Sequence, residues 1–266
     1  MKSFQYISRE MTSPEVIELP QGKITVFSRS SPTKTSGNED CAQIISLDDD
    51  TSILMVADGM GGHANGAAAS AILTEVLEES VSKKKSNARS IRETILRSIE
   101  KANLNILRKN TGEGSTVAIA EINKNRVRTY HVGDSEIYIT DEKGNIKLQT
   151  ISHSPVGYAM EAGFIQEGAA ITHDERHIIS NYVGRIDMHI DMGSPASLNK
   201  YDTLVLGTDG LFDNLLKQEV IDIVRKGPLE SLSEDLWNLA AMRMNEKQDD
   251  FPSKPDDMTF ILYQPR

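Results

Sequence analysis

Ser52-Ile-Leu-Met-Val-Ala57 is an apolar run of strand length, and Asp58-Gly-Met-Gly-Gly-His63 follows it without a break. From Gly66 to Ser82 the period changes: Ala69, Leu73, Val76 and Leu77 recur at helical spacing. A buried strand thus ends in an acidic, glycine-rich turn and feeds a helix. Glycine lets that turn take positive φ and lets a backbone carbonyl approach an ion closely.

Upstream, Lys23-Ile-Thr-Val-Phe27 reads as a strand, Ser28 to Gly37 as a loop, and Cys41 to Leu47 as a strand. The turn Asp48-Asp49-Asp50 returns that strand to Ser52–Ala57. The first 22 residues, with Pro14 and Pro20, are expected to be an irregular lead-in to a single domain over residues 23–266. Downstream, a second helix follows Lys83-Lys-Lys85, with Asn87 as N-cap and an apolar stripe of Ile91, Ile95, Ile99, Ala102 and Ile106. Ser115–Ile122, Arg126–Val132 and Glu136–Thr140 return to strand patterning. A short helix near Val156–Ala162, a strand at Asp202–Thr208, helices at Gln218–Lys226 and Ser233–Met244, and a strand at Met258–Tyr263 complete the chain. Strands and helices are grouped rather than alternating, which disfavours a doubly wound parallel sheet. The pattern predicts an α+β fold of antiparallel sheets with helices segregated outside.

The composition of the 266 residues is that of a globular chain, 38% hydrophobic and 26% charged. No run approaches the roughly 18 apolar residues of a membrane helix, and residues 1–11 lack the apolar core of a secretory signal. One cysteine, Cys41, excludes an intramolecular disulfide and a cysteine-rich zinc site, so a cytoplasmic location is expected. The net charge of −10 argues against a nucleic-acid footprint.

The placement of the acids carries more. Asn38-Glu39-Asp40 precedes a strand, Asp58 follows one, Gly133-Asp134-Ser135 joins two, Thr208-Asp209-Gly210 follows one, and Asp256-Asp257 precedes the last. Each alone reads as a turn or surface charge. Together, at the ends of buried strands, they would repel one another at one sheet edge unless a cation lay between them. Carboxylate and carbonyl oxygens suit a hard divalent cation.

On these motifs the chain resembles the metal-dependent protein phosphatases (PPM, type 2C serine/threonine phosphatases), over roughly Lys23 to Tyr263. Asn38-Glu39-Asp40 matches the first acidic motif, and Asp58-Gly-Met-Gly-Gly-His63 has the form of bacterial members. Gly114-Ser115-Thr116 with Val132-Gly-Asp-Ser135, His153-Ser154, Thr208-Asp-Gly-Leu-Phe-Asp213 and Asp256-Asp-Met-Thr259 match the rest. The resemblance implies an α-β-β-α sandwich of two antiparallel sheets flanked by helices. It implies hydrolysis of phosphoserine and phosphothreonine in proteins by a metal-activated water, with two or three Mn²⁺ or Mg²⁺ ions. By motif, Asp58 bridges two ions and the Gly59 carbonyl binds one. Asp209 and Asp256 hold the first, Glu39 the second, Asp40 stands behind them, and Asp134 serves a third. His63 is the candidate proton donor to the leaving group. The implied partners are phosphorylated Ser/Thr proteins and a cognate kinase, with no nucleic acid, no membrane and a monomeric state.

Four positions depart from the pattern. Thr35 stands where the family has an arginine that grips the substrate phosphate, with Lys34 beside it as the nearest substitute. Glu136, Ser152 and Asp257 replace an arginine, an aspartate and an asparagine. Two alternatives stay open: a catalytically weak member acting as a phosphoprotein-binding regulatory module, and a phosphoesterase for small molecules.

Overall fold

The computed structural model describes residues 1–61, 64–83, 88–170, 173–246 and 251–266. One antiparallel sheet runs, in spatial order, β1 (Lys2–Ile7), β4 (Cys41–Ser46), β5 (Thr51–Ala57), β8 (Val117–Asn123), β9 (Arg126–Val132) and β12 (Asp191–Met192), with β13 (Ala196–Ser197) also on β9. The other runs β11 (Ile146–Gln149), β10 (Glu136–Thr140), β14 (Thr203–Gly207), β15 (Met258–Pro265), β3 (Gly22–Arg29) and β2 (Glu15–Leu19). A small ribbon pairs β6 (Gly59–Met60) with β7 (Gly114–Ser115).

The layers follow from the strands' period of two. On β5, Leu54 and Val56 enter an apolar cluster shared with Ile24, Val26, Leu204, Leu206 and Ile261 of the other sheet. Ile53, Met55 and Ala57 face the opposite way, against Leu73 and Leu77 of α1 (Ala64–Ser82) and Ile95 and Ile99 of α2 (Ala88–Lys109). Both faces are covered, which is why this antiparallel strand reads as an unbroken apolar run instead of alternating. Phe27, Val205, Phe260 and Leu262 of the second sheet pack outward on α6 (Lys217–Val224) and α7 (Leu229–Asn245). The result is the α-β-β-α sandwich. Three short helices lie at α3 (Pro155–Glu161), α4 (Glu167–Ala170) and α5 (Asp209–Phe212). No helix among the described residues is long and apolar enough to cross a membrane.

The first 22 residues are not an irregular lead-in. They supply edge strands to both sheets, with β1 pairing β4 and β2 pairing β3. Ile17 and Leu19 are buried while Val16 before them and Glu18 between them are exposed, a period of two over a stretch bounded by Pro14 and Pro20. The Ser115–Ile122 strand is two strands, because Thr116 turns away from the ladder to donate from its backbone N–H to Asp58 O at 2.8 Å. Asn87, the expected N-cap, lies outside the described residues.

Candidate metal centre

Register brings the acidic motifs to one edge. Cys41 pairs with Ala57, which sets Asp40 and Asp58 side by side at the ends of β4 and β5. Gly207 pairs with Phe260, so Asp209 leaves β14 next to where Asp256 and Asp257 enter β15. Asp134 leaves β9, whose Val132 pairs with Val117. Thr208 links the two sheets: its hydroxyl donates to Asp40 Oδ2 at 2.8 Å and its backbone N–H to Thr259 O at 3.0 Å.

The backbone around these side chains is held independently of any ion. Thr116 Oγ1 accepts from Asp58 N at 3.1 Å, and Ser115 Oγ donates to Asp58 O at 2.9 Å. Asn38 Oδ1 accepts from Asp40 N at 2.9 Å, and Ser70 Oγ donates to Glu39 O at 2.5 Å. A methyl group on Gly66 would lie 2.7 Å from Gly59 O and 3.1 Å from the Glu39 carboxyl carbon. The Gly59 carbonyl and the Glu39 carboxylate therefore converge on a space that only glycine leaves open.

The electrostatics are those of a cation site. Asp58 is raised well above the usual carboxylate range by burial, then by Asp209, Asp40, Asp256 and Asp134. Asp40 is raised likewise by burial and by Asp257, and Asp134 by burial and by Asp209 and Asp213. Burial and Asp209 push Asp256 up to about 6. Glu39 Oε1, Asp40 Oδ1, Asp134 Oδ1 and Asp209 Oδ1 are buried without a hydrogen-bond partner. Buried, unpaired, mutually repelling oxygens with no nitrogen or sulfur donor among them fit hard divalent ions.

Lysines stand at both ends of this edge. Lys34 Nζ lies 2.5 Å from Glu39 Oε2 and 2.6 Å from Asp257 Oδ2. Burial alone would lower its pKa, but Asp257 and Glu39 raise it. Its ammonium is thus paired with two carboxylates of the chain. Asp257, 3% exposed, also accepts from Ser31 N at 2.8 Å and Glu39 N at 2.7 Å. Thr35 is exposed on the same loop. At the other end Lys254 bonds Asp209 Oδ2 and lies 2.9 Å from Asp213 Oδ2 and 3.3 Å from Asp256 Oδ2. Sequence reasoning missed Lys254 and the part played by Asp213. The available signal was a lysine two residues before a metal-type aspartate. His63 lies outside the described residues.

A second group of ligand-type residues, His131, His153 and Asp191, sits behind the Asp134 turn. Gly133 N donates to His153 Nδ1 at 3.1 Å, so the ring's one lone pair is used there and Nε2 carries the proton, 3.4 Å from Asp191 Oδ2. His153 N in turn donates to Gly133 O at 2.9 Å. The histidine clamps the turn that carries Asp134 and is not a metal ligand in this tautomer.

A family model described as protein phosphatase 2C matches residues 29–248. The chain belongs to the protein phosphatase 2C family. A putative protein phosphatase 2C-type of Streptococcus pyogenes is 29% identical over 218 residues, covering 79% of this chain and 88% of that protein. The protein phosphatase PhpP of Streptococcus pneumoniae is 30% identical over 196 residues, covering 71% and 79%. The serine/threonine phosphatase of S. agalactiae superposes with a TM-score of 0.79 at 27% identity, covering 92% of this chain and all of that one.

Proposed function

We propose that this chain hydrolyses phosphoserine and phosphothreonine in proteins, using Mn²⁺ or Mg²⁺ held at the acidic edge. The observation that carries the proposal is the set of buried, unpartnered carboxylate oxygens on Glu39, Asp40, Asp134 and Asp209, converging from strand ends of both sheets. Asp58, Asp209 and Asp256 would hold one ion. Asp58, the Gly59 carbonyl and Glu39 would hold the other, with Asp40 behind them. When bound, such ions polarise a phosphoryl oxygen and make water nucleophilic near neutral pH. The chain's own contribution is to fix the carboxylates before binding: Thr208 orients Asp40, and Thr116 and Ser115 hold the Asp58 backbone.

A cavity of about 310 Å³ opens beside the edge, lined by Asp134, Ser154, Met160, Arg176, Asp213 and Lys217. The segment that supplies Ser154, Gly157 and Met160 to its wall leaves Tyr158 42% and Phe164 86% exposed. Exposed aromatics next to a groove suit the flanks of a peptide better than a small ester. This favours a protein substrate in a single catalytic domain. The test is the rate on a phosphothreonine peptide against p-nitrophenyl phosphate, with Mn²⁺ and with EDTA, for the native chain and Asp58→Asn. Peptide turnover that needs Mn²⁺ and is lost in the variant is expected. Full activity in excess EDTA would overturn metal dependence, and turnover of the small ester alone would favour the phosphoesterase. Peptide binding without turnover would favour the regulatory module.

A further inference from the structure

We propose that Lys254 is a tethered cation that stands in for one divalent ion at the Asp209–Asp213 end of the acidic edge. The inference rests on the metal-dependent reading and goes beyond it, because it assigns a cation of the chain's own to a position where Asp134 was expected to serve a third ion.

The ammonium is placed, not merely nearby. Lys254 N donates to Asn214 Oδ1 at 2.7 Å, and Asn214 Nδ2 donates back to Lys254 O at 2.8 Å and to Gly210 O at 2.9 Å. Asn214 is fully buried, so one side chain locks the lysine's backbone to the helix that begins at Asp209. From that anchor Nζ meets Asp209, Asp213 and Asp256, three acceptors for the three N–H donors of an ammonium. Its side chain is only 23% exposed.

Asp209 divides its oxygens. Oδ2 bonds Lys254, while Oδ1 is buried without a partner and remains for a metal. Asp213 has its Oδ2 on the ammonium. Asp134 lines the same cavity as Asp209 and Asp213 and lies within electrostatic range of Lys254. A divalent ion seated among Asp134, Asp209 and Asp213 would share carboxylates with the ammonium and be repelled by it at contact range. The two are alternatives. With the lysine in place, the chain needs two ions where its carboxylates would otherwise serve three.

The experiment measures Mn²⁺ binding by equilibrium dialysis and by calorimetry on the native chain, Lys254→Gln and Lys254→Arg. Gln keeps a polar, slightly shorter side chain without charge, and Arg keeps the charge. The native chain and Lys254→Arg should bind two Mn²⁺, and Lys254→Gln should bind three. The metal-free Lys254→Gln protein should also melt lower than the native chain at low ionic strength, with Mn²⁺ restoring it. Equal stoichiometry in the native chain and Lys254→Gln, or a third Mn²⁺ on the native chain, would overturn the tethered-cation role while leaving metal dependence intact. No Mn²⁺ binding by any of the three would instead overturn the metal-dependent reading itself. Should Lys254→Gln fail to fold without metal, Lys254→Arg binding three ions would still overturn the proposal.

Discussion

Replacing Lys34 by Met separates two roles for this lysine, counter-ion to Asp257 or ligand to the substrate phosphate. In the metal-free protein the substitution leaves Asp257, 3% exposed, beside Glu39 with no cation. Removing one partner of a buried ion pair costs about 3–5 kcal/mol. Two features reduce that here. Lys34 keeps 21% side-chain exposure, so its pair is partly screened, and Asp257 retains the backbone donors Ser31 N and Glu39 N. A loss of about 2–3 kcal/mol is therefore expected, and for a chain of this size that lowers Tm by roughly 5–10 °C.

Asp257→Asn supplies the partner measurement. The amide keeps one oxygen for a backbone N–H and removes the charge that needs Lys34. In the double variant most of the Lys34→Met loss should vanish, giving a coupling of about 1–3 kcal/mol. The assay is thermal melting of the four proteins in EDTA, with KM and kcat on a phosphopeptide measured alongside. Additive melting temperatures would refute the counter-ion role. A rise in KM for Lys34→Met with unchanged stability would return the lysine to the phosphate.

Three further outcomes are expected. Gly66→Ala should weaken Mn²⁺ binding and cost about 1–3 kcal/mol by overpacking, since its methyl would sit 2.7 Å from Gly59 O; calorimetry with unchanged affinity would show that the Gly59–Glu39 space is not used. Burial and then His131 hold His153 down to about 4, against 6.5 unfolded, so its contribution is complete above pH 6.5 and is lost as pH falls towards 4; His153→Asn should flatten that part of a stability–pH curve by about 3 kcal/mol. Cys41 is fully buried and its thiol is pushed up to about 11 by burial, so thiol reagents should label it only as fast as the protein unfolds.

The frame of the fold was legible because the strands are buried on both faces. Ser52–Ala57 and Thr203–Gly207 are mostly apolar and buried at every turn of the pleat, and the helix stripes of Leu73–Leu77 and Ile91–Ile106 stand out by period. Less legible were the elements whose partners lie far away in sequence. β1 pairs with residues about forty positions on, and β2 is an edge strand with only Ile17 and Leu19 facing inward. Two-residue strands such as β12 and β13 carry no periodicity at all. In the site, acids at strand ends could be read because strand order places them. Where a lysine points could not: Lys34 and Lys254 sit in loops, and their partners Asp257 and Asp209 lie more than two hundred and about forty residues away.

The departures from the family pattern near the first motif form one unit in the structure. Asp257 puts a carboxylate where the pattern has a neutral asparagine, in a place that is 3% exposed and next to Glu39. Such a charge is costly unless it is paired. Lys34, adjacent to the lost arginine position, supplies the pairing from the same loop, and its amine is short and flexible enough to reach both Asp257 and Glu39. Thr35 is left exposed with no charge to offer a phosphate. The cation of this loop thus pairs with the acidic edge. Lys254 does the same at the opposite end, against Asp209, Asp213 and Asp256. An ammonium at each end of the edge offsets part of the repulsion among its carboxylates, while Asp58 and Asp40 between them stay raised by burial and by neighbouring carboxylates. On the proposed reading, ions would enter a central space around Asp58, Asp40 and the Gly59 carbonyl, where Thr116 and Ser115 already hold the Asp58 backbone and Thr208 holds the Asp40 carboxylate.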